Sequence, residues 1–297
     1  DTRLEGEEQV DARSTDDVAR ALRGCSVCVN CVDYRLNLQV MRAALAAGAH
    51  YVDLGGLYHL TRRQLELHAD FRGAGLTAIL GIGSAPGKTN LLASAAVERL
   101  GSKPRSLEIW AVARDPAANG HPFPAPYSVR TLLDELHMRP VVVTGGRVTE
   151  VDPLSGEAER HFPDPIGPAR GIYTLHSELA TLPGRYPTLQ EASFRLCLAP
   201  GLIEKLLALG EDDEPEPYEQ SEEAVAVHLV EVENGGRVTG VSVTRGGSAR
   251  STAEPAARAA VELAAGRLSA PGVQAPERAI ADAEGFLSLL DTEVRFE

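Results

Sequence analysis

The first hundred residues alternate short apolar segments with amphipathic segments, and this alternation restricts the fold of the chain more than any other feature. Three segments are strand-like: VCVNCV, HYVDL and LTAIL. Each precedes a segment with helical periodicity: NLQVMRAALAA (residues 37–47), TRRQLELHADFRGAG and, after the loop GIGSAPG, KTNLLASAAVERLG. Strand–helix–strand repeats of this length predict parallel βαβ units with strands buried on both faces.

The character of the sequence changes near Ser102 and again near Ser251. Between these positions most apolar segments are strand-like, several are joined by glycine turns, and two are clearly helical, SVRTLLDELH and APGLIEKLLALG. Helical patterns return after Ser251. We therefore expect an α/β domain at residues 1–101, a mixed, sheet-rich domain at 102–250, and C-terminal helices at 251–297 that return to the first domain.

Composition argues against several classes of protein. The chain has 297 residues, of which 43% are apolar and 24% are charged, a balance typical of globular proteins. Its net charge of −13 argues against nucleic acid or an anionic membrane as the partner. No apolar run is long enough to span a bilayer, and the sequence shows no secretory signal. We expect a cytoplasmic protein.

Cys25, Cys28 and Cys31 have the spacing C-x-x-C-x-x-C, which can indicate a metal or iron–sulfur site. In a strand, however, residues three apart point to opposite faces, so these thiols could not share one metal ion. The interpretation we favour is that all three are buried thiols of the sheet, and no metal is predicted.

Polar residues and glycines follow each of the three predicted strands. Because ligands of open parallel sheets bind at the carboxyl ends of the strands, these positions predict a ligand cleft. They are Asn30, Asp33 and Tyr34 after the first strand, Asp53, Gly55 and Gly56 after the second, and Gly81, Gly83, Pro86 and Gly87 after the third. Lys88 and Asp115 are expected to be surface residues.

Five segments, in order along the chain, carry a recognisable family pattern: VNCVDYRLNLQVMRAALAAGAHYVDLGG, GLTAILGIGSAPGKTNLLA, PYSVRTLLDE, HSELATLP and GRLSAPGVQAPE. They resemble the saccharopine dehydrogenase family, which includes lysine 6-dehydrogenase. The most specific feature is the G-x-G-x-x-P-G loop preceded by Y-V-D. The resemblance implies a dinucleotide-binding domain that uses NAD or NADP, a sheet-rich domain for substrate binding and dimerisation, and a homodimer that binds a small amino-acid substrate.

One departure from the family pattern bears on the cofactor. Family members begin with a strand, a G-x-G-x-x-G turn and an acid that binds the adenosine ribose, whereas this chain contains no G-x-G-x-x-G. The expected fold class is α/β: an N-terminally incomplete Rossmann-like parallel-sheet domain with an inserted α+β, sheet-rich substrate and dimerisation domain. Two explanations remain open, a fragment of a longer protein or a protein that has lost its pyrophosphate site.

The resemblance implies a set of cofactor-binding residues in the loops that follow the predicted strands. They are Asn30, Cys31, Val32, Asp53, Leu54, Gly83 and Pro86. It also implies that Gly55, Arg130 and Ser177 bind the substrate. Arg130 matches an arginine that binds the substrate carboxylate, a role suited to the planar guanidinium group.

The reaction that the resemblance implies is hydride transfer between a C–N bond of an amino acid and a nicotinamide. The amine must first lose a proton, so a base is needed, and the candidates are Asp53, His176 and Glu178. The first choice is oxidative deamination of L-lysine to the 6-semialdehyde, and the alternative is a saccharopine- or carboxynorspermidine-type opine dehydrogenase. A second alternative is a non-catalytic dimeric ligand-binding or scaffold protein.

Overall fold

The structure is a computed structural model that describes residues 8–118, 121, 123–199, 201–210, 213, 215 and 218–297. Two β-sheets organise these residues, a parallel sheet of four strands and a mixed sheet of nine. Residues of the mixed sheet and of the segments that follow the parallel strands line one cavity.

The parallel sheet is built mainly from the alternating segments of the first hundred residues. Its elements and the helix that follows are α1 (Thr15–Ala21), β1 (Val27–Asn30), α2 (Asn37–Ala47), β2 (His50–Asp53), α3 (Tyr58–Leu65), α4 (His68–Gly73), β3 (Thr77–Ile79) and α5 (Lys88–Leu100). β1, β2 and β3 pair in parallel and in sequence order. The predicted α/β class with a parallel sheet is confirmed.

Helix α2 shows how the local sequence determines these elements. Its apolar residues recur every three or four positions, so that Val40, Met41 and Ala44 form one buried face that packs with Tyr51 of β2. The helix ends at Gly48, whose φ of 73° lies in the left-handed region that favours glycine. Periodicity and the glycine together fix both the buried face and the end of this helix.

The other described residues form the mixed sheet, six further helices and one more parallel strand. The elements are β4 (Ser106–Arg114), α6 (Val129–His137), β5 (Val141–Thr144), β6 (Arg147–Glu150), β7 (Ala158–Phe162), β8 (Gly167–Tyr173), α7 (Glu178–Arg185), β9 (Glu191–Cys197), α8 (Leu202–Leu207), β10 (Val225–Glu233), β11 (Arg237–Arg245), α9 (Gly247–Ala264), β12 (Gly272–Gln274), α10 (Pro276–Ala279), α11 (Ala283–Leu287) and β13 (Glu293–Phe296). Short 3-10 turns occur at Tyr34–Leu36 and Pro116–Ala118.

Three long strands form the middle of the mixed sheet. β4 pairs antiparallel with β10 on one side and parallel with β9 on the other. β11 and β13 extend the sheet beyond β10, β5 and β6 extend it beyond β9, and the β7–β8 hairpin attaches to β9. Because β10 is buried along almost its whole length, side chains on both of its faces contribute to the core.

The C-terminal segment contributes to both sheets. β12 pairs in parallel with β3, and α9 packs against β1 and β2. β13 instead pairs with β11 of the mixed sheet. The division into residues 1–101, 102–250 and 251–297 remains a prediction, and its first seven residues lie outside the described part of the chain.

The prediction that the clustered cysteines are all core residues is wrong for two of them. β1 spans only Val27–Asn30, so Cys25 precedes the strand and Cys31 follows it, and both are exposed. Cys28, inside the strand, is buried, and burial raises the pKa of its thiol to about 12. The described residues contain no group of three or more His, Cys, Asp and Glu side chains that could hold a metal ion.

The prediction that Lys88 is a surface residue is also wrong. Its side chain is fully buried, and Nζ donates to Thr244 Oγ1 at 2.5 Å and to Thr292 Oγ1 at 3.4 Å. Burial lowers the pKa of this amine to about 7, although Glu254 opposes the shift. The mixed sheet and helices α7, α10 and α11 enclose α5, so the first turn of this helix has no side open to solvent.

No helix in the part of the chain that the structure describes combines the length and apolar character needed to cross a membrane.

Candidate active site

A cavity of about 440 Å³ lies at the carboxyl ends of the parallel strands. The segments that follow β1, β2 and β3 form one wall, and β4, β9 and β10 form the other, together with parts of α6 and α9 and the segment before α7. Open α/β sheets bind their ligands at this edge. Residues from all three strand ends named in the sequence analysis are therefore brought together at one cavity.

Part of the predicted cofactor-binding set lines the cavity. Cys31 and Val32 follow β1, Leu54 follows β2 and Pro86 follows β3, and Gly55, predicted to bind substrate, lies beside them. The parallel pairing of the strands brings these separate segments to one edge. Val32 is 43% exposed, which is high for an apolar side chain. Together these residues form an apolar rim.

The other predicted cofactor-binding residues lie behind this rim. Asn30 donates through Nδ2 to Asn37 Oδ1 at 2.8 Å and to the Tyr51 hydroxyl at 2.9 Å. Gly83 donates its backbone N–H to the carbonyl of Pro86 at 3.0 Å. Neither Asn30 nor Gly83 lines the cavity. These two residues shape the rim from within the protein.

Asp53, predicted as both a base and a cofactor contact, is fully buried at the end of β2. Its Oδ1 accepts from the N–H groups of Gly55 at 3.1 Å and Gly81 at 2.6 Å. Its Oδ2 accepts from Gln64 at 2.7 Å and from the Tyr51 hydroxyl at 3.0 Å. Burial raises the pKa of Asp53, and these donors oppose the rise. Since both oxygens are occupied and the residue does not line the cavity, its carboxylate fixes the loops after β2 and β3.

His176 lies between two glutamates in the wall of the cavity, and we call Glu135, His176 and Glu178 the histidine cluster. His176 Nδ1 is 2.6 Å from Glu178 Oε2, and its Nε2 is 3.8 Å from Glu135 Oε1. The imidazole ring stacks on Phe194, with centroids 3.7 Å apart. His176 and Glu135 line the cavity, whereas Glu178 lies behind His176.

Hydroxyl groups hold both glutamates of the histidine cluster. Thr89 Oγ1 donates to Glu178 Oε1 at 2.7 Å, and the Tyr127 hydroxyl donates to Glu135 Oε2 at 2.6 Å. Each carboxylate thus has one oxygen bound by a hydroxyl and the other directed to the imidazole. Because Nδ1 of His176 is engaged by Glu178, Nε2 is the ring nitrogen left for a ligand.

The pKa values of His176 and Glu135 are both shifted from their usual values. Burial lowers the pKa of His176, but the charges of Glu178 and Glu135 and the hydrogen bond to Glu178 outweigh burial, so the pKa is raised. Burial raises the pKa of Glu135 to about 7. An imidazole with a raised pKa and a carboxyl group with a pKa of about 7 therefore face the cavity together, as general acid–base catalysis requires.

Glu135 is a site residue that sequence reasoning missed. It lies on α6 between Leu132 and Leu136, and all three side chains are buried. A glutamate within the apolar stripe of an amphipathic helix is rarely buried unless it has a partner. This interruption of the stripe is the signal that could have identified it.

Ser177, predicted to bind substrate, precedes α7 and lines the cavity. Its hydroxyl is buried and has no hydrogen-bond partner within the described structure. A buried hydroxyl without a partner is unfavourable, so a ligand is the expected source of one.

Arg130, predicted to bind the substrate carboxylate, is exposed on α6. Its neighbours Ser128 and Thr131 line the cavity, but Arg130 does not. Within the described part of the chain its guanidinium makes no hydrogen bond or ion pair. The arginine is therefore not one of the groups that the fold brings to the cavity.

We expect Arg130→Ala to change the free energy of unfolding by roughly a few tenths of a kcal/mol and to leave the KM for substrate within about twofold, because exposed side chains contribute little. Urea denaturation and steady-state kinetics on the full-length protein measure both quantities. Arg63→Ala, an exposed arginine of α3, is the matched control. A large rise in KM that Arg130→Lys fails to reverse would instead support a carboxylate clamp.

Comparison with protein families matches residues 6–79 to the saccharopine dehydrogenase NADP-binding domain. A curated relative is the carboxyaminopropylagmatine dehydrogenase of Synechocystis sp., 26% identical over 208 residues. The alignment covers 67% of this chain and 52% of the relative, so the chain spans about half the length of that protein.

Solved structures share the fold over nearly the whole chain. The apo saccharopine dehydrogenase (L-Glu forming) of Saccharomyces cerevisiae matches with a TM-score of 0.70 and 15% identity, covering 97% of this chain and 88% of the other. The homospermidine synthase of Legionella pneumophila, in complex with NAD, matches with a TM-score of 0.72 and 11% identity, covering 98% and 80%. The predicted resemblance to the saccharopine dehydrogenase family is therefore confirmed, both in the dinucleotide-binding segment of the sequence and in the fold.

Proposed function

We propose that this chain belongs to an NAD(P)-dependent oxidoreductase of saccharopine dehydrogenase type that acts on a C–N bond of an amino acid. The observation that carries the proposal is the histidine cluster in the wall of a cavity at the carboxyl ends of the parallel strands. Oxidation at a C–N bond needs a base for the amine beside a hydride acceptor. The names of the relatives, which include two dehydrogenases, support the same class.

The cavity suits the nicotinamide end of NAD or NADP. Val32, Leu54 and Pro86 offer apolar surface to a flat ring, and the unpaired hydroxyl of Ser177 offers a partner to a polar group such as an amide. The matched NADP-binding family and the NAD in the Legionella structure support this cofactor. When bound, the nicotinamide would supply the hydride acceptor. Because the chain contains no G-x-G-x-x-G turn, these residues concern the nicotinamide end alone.

His176 is the group best suited to manage the proton of the amine. Its Nδ1–H donates to Glu178, so the lone pair of Nε2 is available in the cavity. The substrate ammonium gives one proton to Nε2, and the nitrogen lone pair forms the C=N bond as hydride leaves the carbon. Glu178 and Glu135 stabilise the imidazolium that results. Water then adds to the C=N carbon and loses one proton to solvent, and His176 returns its proton to the nitrogen. The C–N bond breaks as the new hydroxyl becomes the C=O group and gives its proton to the departing amine.

The first substrate that we propose is L-lysine, oxidised to its 6-semialdehyde, and the alternative is an opine of the saccharopine or carboxynorspermidine type. Both present a cationic amine at the reacting carbon, which the buried carboxylates of Glu135 and Glu178 would attract. The relatives named saccharopine dehydrogenase and carboxyaminopropylagmatine dehydrogenase favour the opine alternative. The L-lysine proposal rests on the sequence resemblance.

The test is a substrate panel of lysine, ornithine, saccharopine and simple diamines, each with NAD⁺ and NADP⁺, on the full-length protein. We expect reduction of at least one nicotinamide with lysine or saccharopine. Absence of turnover with every pair would overturn the enzyme proposal and favour a non-catalytic ligand-binding or scaffold protein.

A further inference from the structure

A second polar group lies in the same cavity, on the side of β10 and α9. Ser84, in the loop after β3, has its Oγ 2.6 Å from Ser251 Oγ and 2.9 Å from His228 Nε2. The other ring nitrogen of His228, Nδ1, is 3.0 Å from Ser242 Oγ. The side chains of Ser251, Ser242 and His228 are buried, whereas Ser84 is half-buried. The mechanism above uses none of these residues.

The hydroxyl of Ser84 keeps one hydrogen-bonding position for a ligand. A serine hydroxyl has one donor and two acceptor positions. When His228 Nε2–H and the Ser251 hydroxyl both donate to Ser84 Oγ, they take its two acceptor positions and leave its O–H as the donor for a ligand. Ser84 and His228 both line the cavity, so the third position is available there. The buried partners hold the hydroxyl in one place, which is how a binding group is pre-organised.

The carboxylates that line the cavity do not lie on the side formed by β10 and α9. Among the described residues that line the cavity, the acidic ones are Asp33 and Glu135. Glu135 belongs to α6. Asp33 directly precedes Tyr34, whose hydroxyl donates to Asp134 of α6 at 2.5 Å. Both acidic residues are thus associated with α6, and the side formed by β10 and α9 contributes no acidic residue to the lining.

A buried lysine lies behind the His228 side of the cavity. Burial, followed by the charges of Lys88 and His176, lowers the pKa of His228 well below its usual value, so its ring is neutral. Lys88 lies behind this side of the cavity, bound to Thr244 of β11, and its charge is partly balanced by Glu254. When Lys88 is protonated, its charge behind these hydroxyl groups favours an anionic ligand group over an ammonium.

The two sides of the cavity are separated by about two strand spacings. His176 stacks on Phe194 of β9, His228 belongs to β10, and β4 lies between these strands. Strands pair about 4.8 Å apart, which places the two positions on the sheet roughly 10 Å apart. A ligand held by both sides must carry its two polar groups several bonds from each other.

We propose that Ser84, positioned by His228, binds the carboxylate of a substrate whose amine reacts at the histidine cluster. The hydroxyls of Ser248 and Thr252, which line the same side, are the further donors available to that carboxylate. The inference rests on the proposed function and specifies its substrate class: an amino acid whose reacting amine is several carbon atoms from a carboxylate. Ser84 then takes the role that the family resemblance implied for Arg130.

The test measures binding without requiring turnover. Isothermal titration calorimetry of the full-length protein compares the affinities for 6-aminohexanoate and hexylamine. Both ligands carry an amine on a six-carbon chain, and only 6-aminohexanoate also carries a carboxylate. We expect wild type to bind 6-aminohexanoate about tenfold or more tightly than hexylamine, because charge-assisted hydrogen bonds to a carboxylate are among the stronger ones. Ser84→Ala should remove most of this preference. Ser84→Cys is the second variant to test in case the alanine variant folds poorly. Cysteine is similar in size to serine but is a weak donor, so this variant should also lose most of the preference.

Two further variants separate a binding role from a structural one. His228→Phe keeps an aromatic ring but removes both nitrogens, and it should weaken the binding of 6-aminohexanoate more than the binding of hexylamine. Ser94→Ala, at a buried serine bonded to Tyr186 outside the cavity, is the matched control and should keep the wild-type preference.

A wild-type protein without the preference, or a Ser84→Ala protein that retains it, would overturn the inference. Failure of the substrate panel is a separate result, because it would remove the proposed reaction without changing the affinity ratio.

Discussion

Replacing His176 by alanine is expected to lower kcat for amino-acid oxidation by about 10²- to 10⁴-fold, the contribution typical of a positioned general base. His176 is the cavity-facing group with a free ring nitrogen, since Nδ1 is bound to Glu178. The KM should change less, because the carboxylates that attract the amine remain. Steady-state kinetics on the full-length protein with the best substrate of the panel measures both parameters.

The pH profile gives this prediction a second readout. Glu178 and Glu135 raise the pKa of His176 despite its burial. A base is active when unprotonated, so kcat/KM should rise with pH as His176 loses its proton. Glu178→Gln removes one of the charges that raise this pKa, and the rise should then move to lower pH. If Glu178 had a purely structural role, Glu178→Gln would lower activity without moving the pH profile.

His161→Ala is the control for the histidine replacement, because His161 is an exposed residue of β7 outside the cavity. Circular dichroism should show that both variants keep the fold, although loss of the stack on Phe194 will lower the melting temperature of His176→Ala. A His176→Ala protein with kcat within about threefold of wild type would exclude this residue as the base.

Much of the parallel sheet could be predicted from the sequence because its signals are local. The periodicity of α2 and the glycine after it define that helix without reference to the rest of the chain. The length of β1 was harder to judge, since an apolar run does not mark where pairing ends, and Cys25 and Cys31 fall outside the strand. β9 carries a clear local signal, because Ala192, Phe194 and Leu196 alternate as a strand requires.

The histidine cluster could be predicted only in part because its partners are distant in sequence. His176 and Glu178 are close in one segment, and the family resemblance pointed to them. Glu135 joins them only because α6 packs on the cavity, which is a tertiary contact that no local pattern encodes. Lys88 shows the same limit, since a lysine is expected at the surface unless the packing around α5 is known.

Replacing Asp53 by alanine is expected to destabilise the protein by about 3 kcal/mol or more, because it leaves several buried donors without an acceptor. The N–H groups of Gly55 and Gly81 would both lose their partner, and so would the side chain of Gln64. These groups are buried or half-buried, so water cannot fully replace the carboxylate. The free energy of unfolding, from urea denaturation, measures the loss.

The comparison with Asp70→Ala tests whether the effect depends on the buried acceptor, because Asp70 is an exposed residue of α4 and its loss should cost about 0.5 kcal/mol or less. Asp53→Asn should also destabilise the protein. The two oxygens of Asp53 each accept from two donors, and the N–H₂ group of asparagine would have to face one of these two pairs of donors. If Asp53 were instead the catalytic base, Asp53→Asn would remove activity while leaving stability near wild type. Reduced stability in both Asp53 variants identifies the carboxylate as the group that joins the loops after β2 and β3 and so holds the apolar rim of the cavity in place.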